Sequence, residues 1–201
     1  MSGKSSGWDE RYSGREYHYG TEPNAFLVNH CDLLQNPVLS LSEGEGRNAV
    51  FLAKMGFDVL GVDFSAIGLK KAQQLAQREQ VRIRTEVADM ACYIPQARHY
   101  GAVISIFAHY PAAVRERLYP LIEQSLKPGG ILLLEGYTEA QLPKSTGGPK
   151  NIGMLLTRDK LAKVFSGMES ILLQELDREV HEGEGHTGLG SVIQFIARKK
   201  Q

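Results

Sequence analysis

One stretch of the sequence, residues 38–65, sets a glycine-rich turn between two candidate strands and constrains the fold more than any other. Val38–Ser42 is half apolar and follows a proline, which predicts a short buried strand. Gly44 and Gly46 come next, and glycine permits a tight turn in which backbone N–H groups approach a ligand closely. An apolar run then predicts a helix that continues to Gly56, a residue type that commonly ends helices.

An acidic residue closes the same stretch. Phe57–Val62 is predicted to be a second strand, and Asp63 follows it, 17 residues after Gly46. In doubly wound sheets the glycine turn and the helix N-terminus face the ligand, while an acid at the end of the second strand binds ribose hydroxyls. The sequence therefore predicts an adenosine-containing ligand. Residues 44–49 also fit the pattern G-x-G-x-x-A, which leaves a dinucleotide open at this point.

The wider run resembles motif I of the class I S-adenosylmethionine-dependent methyltransferases, in the form found in small bacterial proteins of the tellurite-resistance and methyltransferase type 11 kinds. Glu43–Ala53 contains the pattern GxGRNAxxLA, and Val62–Ser65 resembles the motif that follows it. The resemblance implies a single-domain, Rossmann-like α/β fold, with a doubly wound sheet of about seven strands whose last strand is antiparallel. It also implies S-adenosylmethionine as the cofactor.

Two positions depart from the family pattern. The family usually has an acid where Ser40 stands and a glycine where Ser42 stands. The family's acid commonly helps to hold the methionine end of the cofactor, so the departures concern that end of the site. Glu43 is the neighbouring acid that we expect to substitute for it in part.

The N-terminal stretch Trp8–Asn24 is rich in aromatic and polar residues and is not strand-like. Its rings either pack in the core, as aromatic side chains usually do, or cover the cofactor. In the second case Tyr12 or Tyr19 lies beside the sulfonium, because a cation is attracted to an aromatic face. A similar W-D-x-x-Y…Y-G-x-x-P-N opening lies over the cofactor pocket in the resembling methyltransferases, which favours a lid.

The resemblance also implies contacts from later parts of the chain. The family has an acid at the position of Asp89 that contacts the adenine amino group, and the neighbouring Met90 would then pack on the adenine ring. The alternative is a structural role for Asp89, because Asp is common in turns and caps. The apolar run Ala102–Ala108 predicts a central strand, whose carboxyl end is where ligands bind in open α/β sheets. The complete set of predicted cofactor contacts is Trp8, Tyr12, Tyr19, Glu43, Gly44, Glu45, Gly46, Asn48, Asp63, Phe64, Ser65, Asp89, Met90, Ile106 and Phe107.

Three residues are candidates for a catalytic role: His109, His186 and Tyr19. Histidine is a common general base, but a packed or hydrogen-bonded histidine is an equal alternative for His109, and a thiol or metalloid anion would need no base. His186 lies in the glycine-rich segment 181–188 between two predicted strands, which is either a solvated hairpin tip or a substrate-facing loop. The spacing of its acids and histidines is unlike that of a four-ligand metal site, so we expect no metal.

The length and the charge limit the other expectations. A chain of 201 residues suits one domain, which we divide into a disordered tail (1–7), a helical lid (8–36) and a sheet core (37–201). The net charge of zero gives no reason to expect nucleic acid or an anionic membrane, so we expect a small-molecule substrate.

The cysteines and the apolar runs of the sequence indicate in which cell compartment we expect the protein. The two cysteines lack the spacing of a disulfide framework or a zinc site. Neither a signal peptide nor an apolar run of transmembrane length is present, so we expect a cytoplasmic protein with free thiols.

Two other functions share these features. An NAD(P)-dependent oxidoreductase would use the same glycine turn and Asp63, although 201 residues leave no room for a separate substrate domain. A non-catalytic module would keep the fold and the cofactor without the reaction, an alternative that the departures at Ser40 and Ser42 keep open. The methyl acceptor and the oligomeric state are not assigned.

Overall fold

The computed structural model describes residues 5–183 and 186–201, which form a seven-stranded mixed sheet with helices on both faces. The strands are β1 Val38–Leu41, β2 Val59–Asp63, β3 Arg84–Val87, β4 Tyr100–Ile106, β5 Leu126–Tyr137, β6 Glu169–Glu182 and β7 His186–Arg198. The α-helices are α1 Ser5–Tyr12, α2 Ala25–His30, α3 Arg47–Lys54, α4 Ala66–Arg78, α5 Ala112–Ser125 and α6 Arg158–Val164. Short 3-10 turns lie after α2, after β5 and in the loop before α6.

The strand order, β3-β2-β1-β4-β5-β7-β6, reverses between β1 and β4. The first five strands are parallel, and β7 runs antiparallel to both β5 and β6. This arrangement confirms the predicted doubly wound α/β sheet of seven strands with an antiparallel last strand. At such a reversal the connections after the two strands diverge to opposite faces, which opens a crevice at the carboxyl ends of β1 and β4.

The core is split between the two faces of the sheet because successive residues of a strand point to opposite sides. In β1, Leu39 and Leu41 pack in the same cluster as Leu118 of α5. Val38 packs instead with Leu52 of α3, together with side chains of α2 and α4. β1 is therefore covered on both faces, and its short apolar run fits a central parallel strand.

Several boundaries differ from the sequence predictions. The segment 5–7 lies in α1, so that part of the predicted disordered tail is wrong, while residues 1–4 lie outside the described residues. The predicted turn at Lys127–Gly130 lies inside β5, where the pairing with β4 is irregular. The predicted loop 181–188 is largely strand, because β6 and β7 continue their pairing as far as Glu182 and His186.

None of the helices in the described residues is long and apolar enough to cross a membrane. The cytoplasmic location stays a prediction.

Candidate functional site

A pocket of about 640 Å³ lies at the carboxyl ends of the parallel strands, where the strand order reverses. The N-terminal segment and the start of β7 contribute to its walls. Thirteen of the fifteen predicted cofactor residues line it, and so do His109 and His186. The two that do not line it are Gly46 and Ser65. A more open groove between α4 and β3 carries none of the predicted residues.

Asp63 joins the end of β2 to the glycine turn. Its Oδ2 accepts the backbone N–H of Gly44 at 2.9 Å, and its Oδ1 accepts that of Ser65 at 2.8 Å. The side chain is 7% exposed, and this burial raises its pKa, while the hydrogen bonds from backbone N–H groups act in the opposite direction. Asp63 therefore fixes the shape of the turn and also forms part of the pocket wall.

Gly46 and Ser65 support the pocket from outside it. Gly46 has φ +97°, and a Cβ there would lie 2.6 Å from Cα of Ala72, so glycine lets α3 begin against α4. The hydroxyl of Ser65 accepts the N–H of Gly68 at 3.0 Å and caps α4. The structure thus places these two residues behind the pocket wall, and their contact with the cofactor stays a prediction.

Glu43 lies beside Ser40, the position at which the resembling family has an acid. Its carboxylate accepts the hydroxyl of Ser40 and, at 2.9 Å, the N–H of Ala49 in the first turn of α3. Gly61 leaves room for it, since a Cβ at that position would lie 3.0 Å from Cγ of Glu43. Burial raises the pKa of Glu43 to about 7. The acid next to Ser40 thus comes from three residues further along the chain.

Ser42 shows why glycine is usual at its position. Its φ of 52° lies in the left-handed region, which side chains other than glycine seldom adopt. The hydroxyl of Ser42 lies 2.8 Å from the hydroxyl of Tyr110, which is buried after β4. This pair ties the turn after β1 to the loop after β4 across the crevice.

The N-terminal segment covers the glycine turn. The ring of Tyr12 is buried so closely over the turn that a Cβ on Gly44 would lie 2.9 Å from its hydroxyl. The rings of Trp8 and Tyr12 are 5.7 Å apart, and those of Tyr12 and Tyr19 are 6.5 Å apart. Arg11 donates to the hydroxyl of Tyr19 at 3.2 Å. All three aromatic rings therefore form a continuous cover on one side of the pocket, as the lid interpretation requires.

Two residues predicted to bind the cofactor hold this cover in place. Glu45 accepts the backbone N–H of His18 at 2.7 Å and forms an ion pair with Lys71. Lys71 also donates to backbone carbonyls of the N-terminal segment. Asn48 accepts the N–H of Asn24 at 3.0 Å. Glu45 and Asn48 line the pocket, but these polar contacts go to the cover.

Asp89, Met90 and Phe64 also line the pocket. Met90 is buried, whereas Asp89 is exposed and accepts the N–H of Ala91 at 2.8 Å through Oδ1. The turn role of Asp89 is thus present, and its second carboxylate oxygen has no hydrogen bond with the described residues. The predicted adenine contacts therefore line the same pocket as the glycine turn.

Four rings enclose the region after β4. The rings of Phe107 and His186 are 4.7 Å apart, those of Tyr19 and His186 are also 4.7 Å apart, and those of Tyr137 and His186 are 5.3 Å apart. Phe107 has φ 50°, a left-handed conformation at the strand end. The predicted catalytic candidates therefore meet around a common aromatic wall.

His109 has a structural hydrogen bond that occupies its lone pair. Its Nε2 accepts the backbone N–H of Tyr137 at 2.8 Å, and the two rings stack with centroids 5.6 Å apart. Burial lowers the pKa of His109 to about 4. The geometry opposes the expectation that His109 is a base, because the nitrogen that would take a proton already accepts one hydrogen bond.

His186 differs from His109 because no such bond restrains it. The residue is 7% exposed, and its Nδ1 is enclosed with no hydrogen-bond partner among residues 5–183 and 186–201. Burial, and then the positive charge of Arg47, lower its pKa to about 3. In this segment His186 and Glu182 are buried, whereas His181 and Thr187 are exposed and residues 184–185 lie outside the described residues.

A buried ionic network behind this wall was not predicted from the sequence. Glu135, 1% exposed near the end of β5, accepts hydrogen bonds from Asn24, Arg178 and Gln194 at 2.6–2.9 Å. Glu182 accepts from Asn24 at 2.8 Å and pairs with Arg47 at 2.5 Å. In the sequence, the local indication of this network was Glu135 itself, a charged residue directly after an apolar run in β5.

Within the described residues, no group of three or more His, Cys, Asp or Glu side chains could hold a metal ion. Glu184, a member of the metal pattern weighed in the sequence, lies outside those residues. Both cysteines are free thiols.

Comparison with known proteins places this site in a family. Residues 38–130 match the family described as "Methyltransferase domain". The ribosomal protein L11 methyltransferase of Vibrio cholerae serotype O1 is 29% identical over 134 residues, which cover 64% of this chain and 44% of that protein. The 2-heptyl-1-hydroxyquinolin-4(1H)-one methyltransferase of Mycobacteroides abscessus is 24% identical over 132 residues, 64% of this chain and 58% of that protein. The chain spans about half the length of these curated relatives.

The fold agrees with this match. The crystal structure of a SAM-dependent methyltransferase from Anabaena variabilis has a TM-score of 0.69 and 18% identity, covering 98% of this chain and 93% of that one. Residues 38–130 therefore resemble the class I S-adenosylmethionine-dependent methyltransferases in sequence, and the chain has the fold of these enzymes. The predicted resemblance to this class is confirmed, whereas the tellurite-resistance subtype stays a prediction. The match implies binding of S-adenosylmethionine, and the oxidoreductase alternative is not favoured.

Proposed function

We propose that this chain transfers a methyl group from S-adenosylmethionine to a small-molecule acceptor. The observation that carries the proposal is the convergence of the glycine turn, Asp63 and the aromatic cover of the N-terminal segment on one pocket at the switch point of the sheet. Ligands of open α/β sheets bind at that place.

The residues present fit this cofactor. Asp63 brings a carboxylate to the pocket at the end of β2, where ribose hydroxyls would donate to it. Phe64 and Met90 offer apolar surface for a purine ring, and Asp89 has a carboxylate oxygen available for its amino group. Tyr12 and Tyr19 place aromatic rings in the wall, and such rings attract a cation. When bound, the cofactor supplies the activated methyl group.

A small acceptor suits the enclosure of the pocket better than a protein side chain on a large partner. The whole pocket has a volume of about 640 Å³, and the cofactor would take much of it. The N-terminal segment and His186, at the start of β7, line the same pocket and leave less of it open to a large partner. Of the two curated relatives, the one named for a hydroxyquinolinone offers the nearer precedent, since the other is named for a ribosomal protein.

The first test is calorimetric titration of the protein with S-adenosylmethionine, S-adenosylhomocysteine and NADPH. We expect the first two to bind and the third to give no heat. Binding of NADPH alone would support the oxidoreductase alternative. Binding of the first two without transfer to any acceptor in a broad screen would support the non-catalytic module.

The same assay tests the role of Asp63. Asp63→Asn keeps the shape of the side chain and removes the charge, and a hydrogen bond to a charged group contributes about 1.5–3 kcal/mol. We expect binding of S-adenosylhomocysteine to weaken by about 10- to 100-fold. Asp58→Asn is the matched control, because Asp58 is exposed and pairs with Arg84 away from the pocket. Unchanged affinity in a folded Asp63→Asn protein would refute the assignment.

A further inference from the structure

We propose that the imidazole of His186 is the acceptor subsite, and that it binds the X–H group of an uncharged hydroxyl or thiol and takes its proton during transfer. The proposal rests on the function proposed above and adds the chemical class of the acceptor. It starts from an unsatisfied atom, the enclosed Nδ1 of His186, which has no hydrogen-bond partner in the described parts of the chain.

A buried polar atom without a partner is unfavourable and is found mainly where a ligand or water completes it. The rings of Tyr19, Phe107 and Tyr137 surround His186 at 4.7, 4.7 and 5.3 Å. These contacts limit the movement of the ring, and none of them satisfies a ring nitrogen. His109 is the contrast in the same pocket, because Tyr137 fixes its tautomer through a backbone N–H.

The hairpin holds His186 at a fixed place relative to the glycine turn. His186 pairs directly with Glu182 in the β6–β7 register. Glu182 in turn forms the ion pair with Arg47, the first residue of α3 after Gly46. Two links, the strand pairing and the ion pair, therefore connect the candidate acceptor subsite to the candidate cofactor site.

The charge around the subsite favours an uncharged acceptor. Glu135 and Glu182 are both engaged by arginine and amide donors, so neither carboxylate is left to pair with a cation. Arg47 and Arg178 are engaged by the same carboxylates, so neither is left to pair with an anion. His186 itself is neutral at physiological pH, since its pKa is lowered to about 3.

The proton balance is consistent with so weak a base. As the X–CH₃ bond forms and the S–CH₃ bond of the cofactor breaks, the positive charge moves toward X–H, which becomes a far stronger acid than before. His186 receives that proton, so the region holds one positive charge before and after the step. The proton passes to solvent when the methylated product leaves. A base of low proton affinity acts late in such a step, after methyl transfer has begun.

The test uses His186→Phe, which keeps an aromatic ring among its neighbours and removes both nitrogens. The matched control is His181→Phe, since His181 lies on the same hairpin and is exposed. Transfer of a labelled methyl group is measured with phenol, phenylmethanethiol, benzylamine and benzoate, which share one ring and differ in the nucleophilic group and its charge. Thermal unfolding and calorimetric binding of S-adenosylhomocysteine are measured for each protein.

We expect transfer to phenol, phenylmethanethiol or both, and none to benzylamine or benzoate. His186→Phe should bind S-adenosylhomocysteine within threefold of the original protein and transfer the methyl group about 100-fold more slowly or worse. His181→Phe should match the original in both assays. Full activity of His186→Phe, or transfer confined to the amine or the carboxylate, would overturn the assignment of the subsite while leaving the cofactor site intact. Failure of the original protein to bind S-adenosylhomocysteine would instead overturn the proposed function, and this assignment with it.

Discussion

Glu43 is a buried acid beside the glycine turn, and its replacement tests whether burial raises the pKa of its carboxyl group. It is enclosed beside β1, and the hydrogen bonds from Ser40 and Ala49 do not offset the loss of water around its carboxylate. Its pKa is therefore raised from 4.5 to about 7. Between those two values the folded protein keeps a proton that the unfolded chain has released, so stability falls as the pH rises through this window.

The magnitude follows from the two pKa values. The interval of about 2.5 between them, at about 1.4 kcal/mol per pH unit, corresponds to about 3 kcal/mol between low pH and pH above 7. Glutamine at position 43 cannot titrate and keeps an oxygen to accept the N–H of Ala49. We therefore expect the unfolding free energy of Glu43→Gln, relative to the original protein, to rise by about 2 to 3 kcal/mol from pH 5 to pH 8.

Urea unfolding at both pH values measures this difference, because other titrating groups are common to the two proteins and cancel. Glu116→Gln is the control variant. Because Glu116 is exposed on α5, it shows how the same Glu-to-Gln change affects the unfolding free energy without burial. A Glu43→Gln difference that does not change with pH would refute the reasoning. A difference that falls with rising pH would show that the carboxylate is stabilised as an anion, and that the hydrogen bonds prevail over burial.

Two further predictions concern the frame of the site. Gly46→Ala combines a left-handed φ with a clash against the backbone of α4, so we expect a loss of about 3 kcal/mol in urea unfolding. Gly56→Ala, also left-handed but with open space around the new Cβ, should lose only about 1 kcal/mol. Glu182→Gln removes the charge that pairs with Arg47, so we expect a loss of about 3 kcal/mol and slower methyl transfer. Glu179→Gln, exposed on the same strand, should change neither, and equal effects in both glutamate variants would contradict the role of the pair.

Most residues predicted to bind the cofactor line one pocket because the determinants of that region are local. Gly44 and Asp63 lie within one strand–turn–helix–strand unit, and the hydrogen bond between them closes that unit. The motif does not show that its residues have different structural roles. Gly46 makes the contact with α4, and Glu45 holds the N-terminal cover, although both lie next to Gly44 in the motif.

The contacts around the candidate acceptor subsite could not be predicted from the sequence, because they join distant parts of the chain. Asn24 and Glu182 are 158 positions apart, and Arg47 and Glu182 are 135 apart. A polar residue in one strand gives no sign of the partner that satisfies it after folding. The sequence of this segment therefore resembled a solvated tip, whereas two of its residues are buried: Glu182 pairs with Arg47 of α3, and His186 packs against Tyr19 of the cover.

The start of α3 explains how the two sides are kept in register. Gly46 sets the position of the helix against α4, and the next residue, Arg47, extends to Glu182 on the hairpin. A shift of the glycine turn would therefore move the anchor of the hairpin that carries His186. Because the pair is buried and its charges are engaged on both sides, separating it would expose uncompensated charge. The chain thus ties the geometry of the candidate acceptor subsite to the same turn that forms the candidate cofactor site.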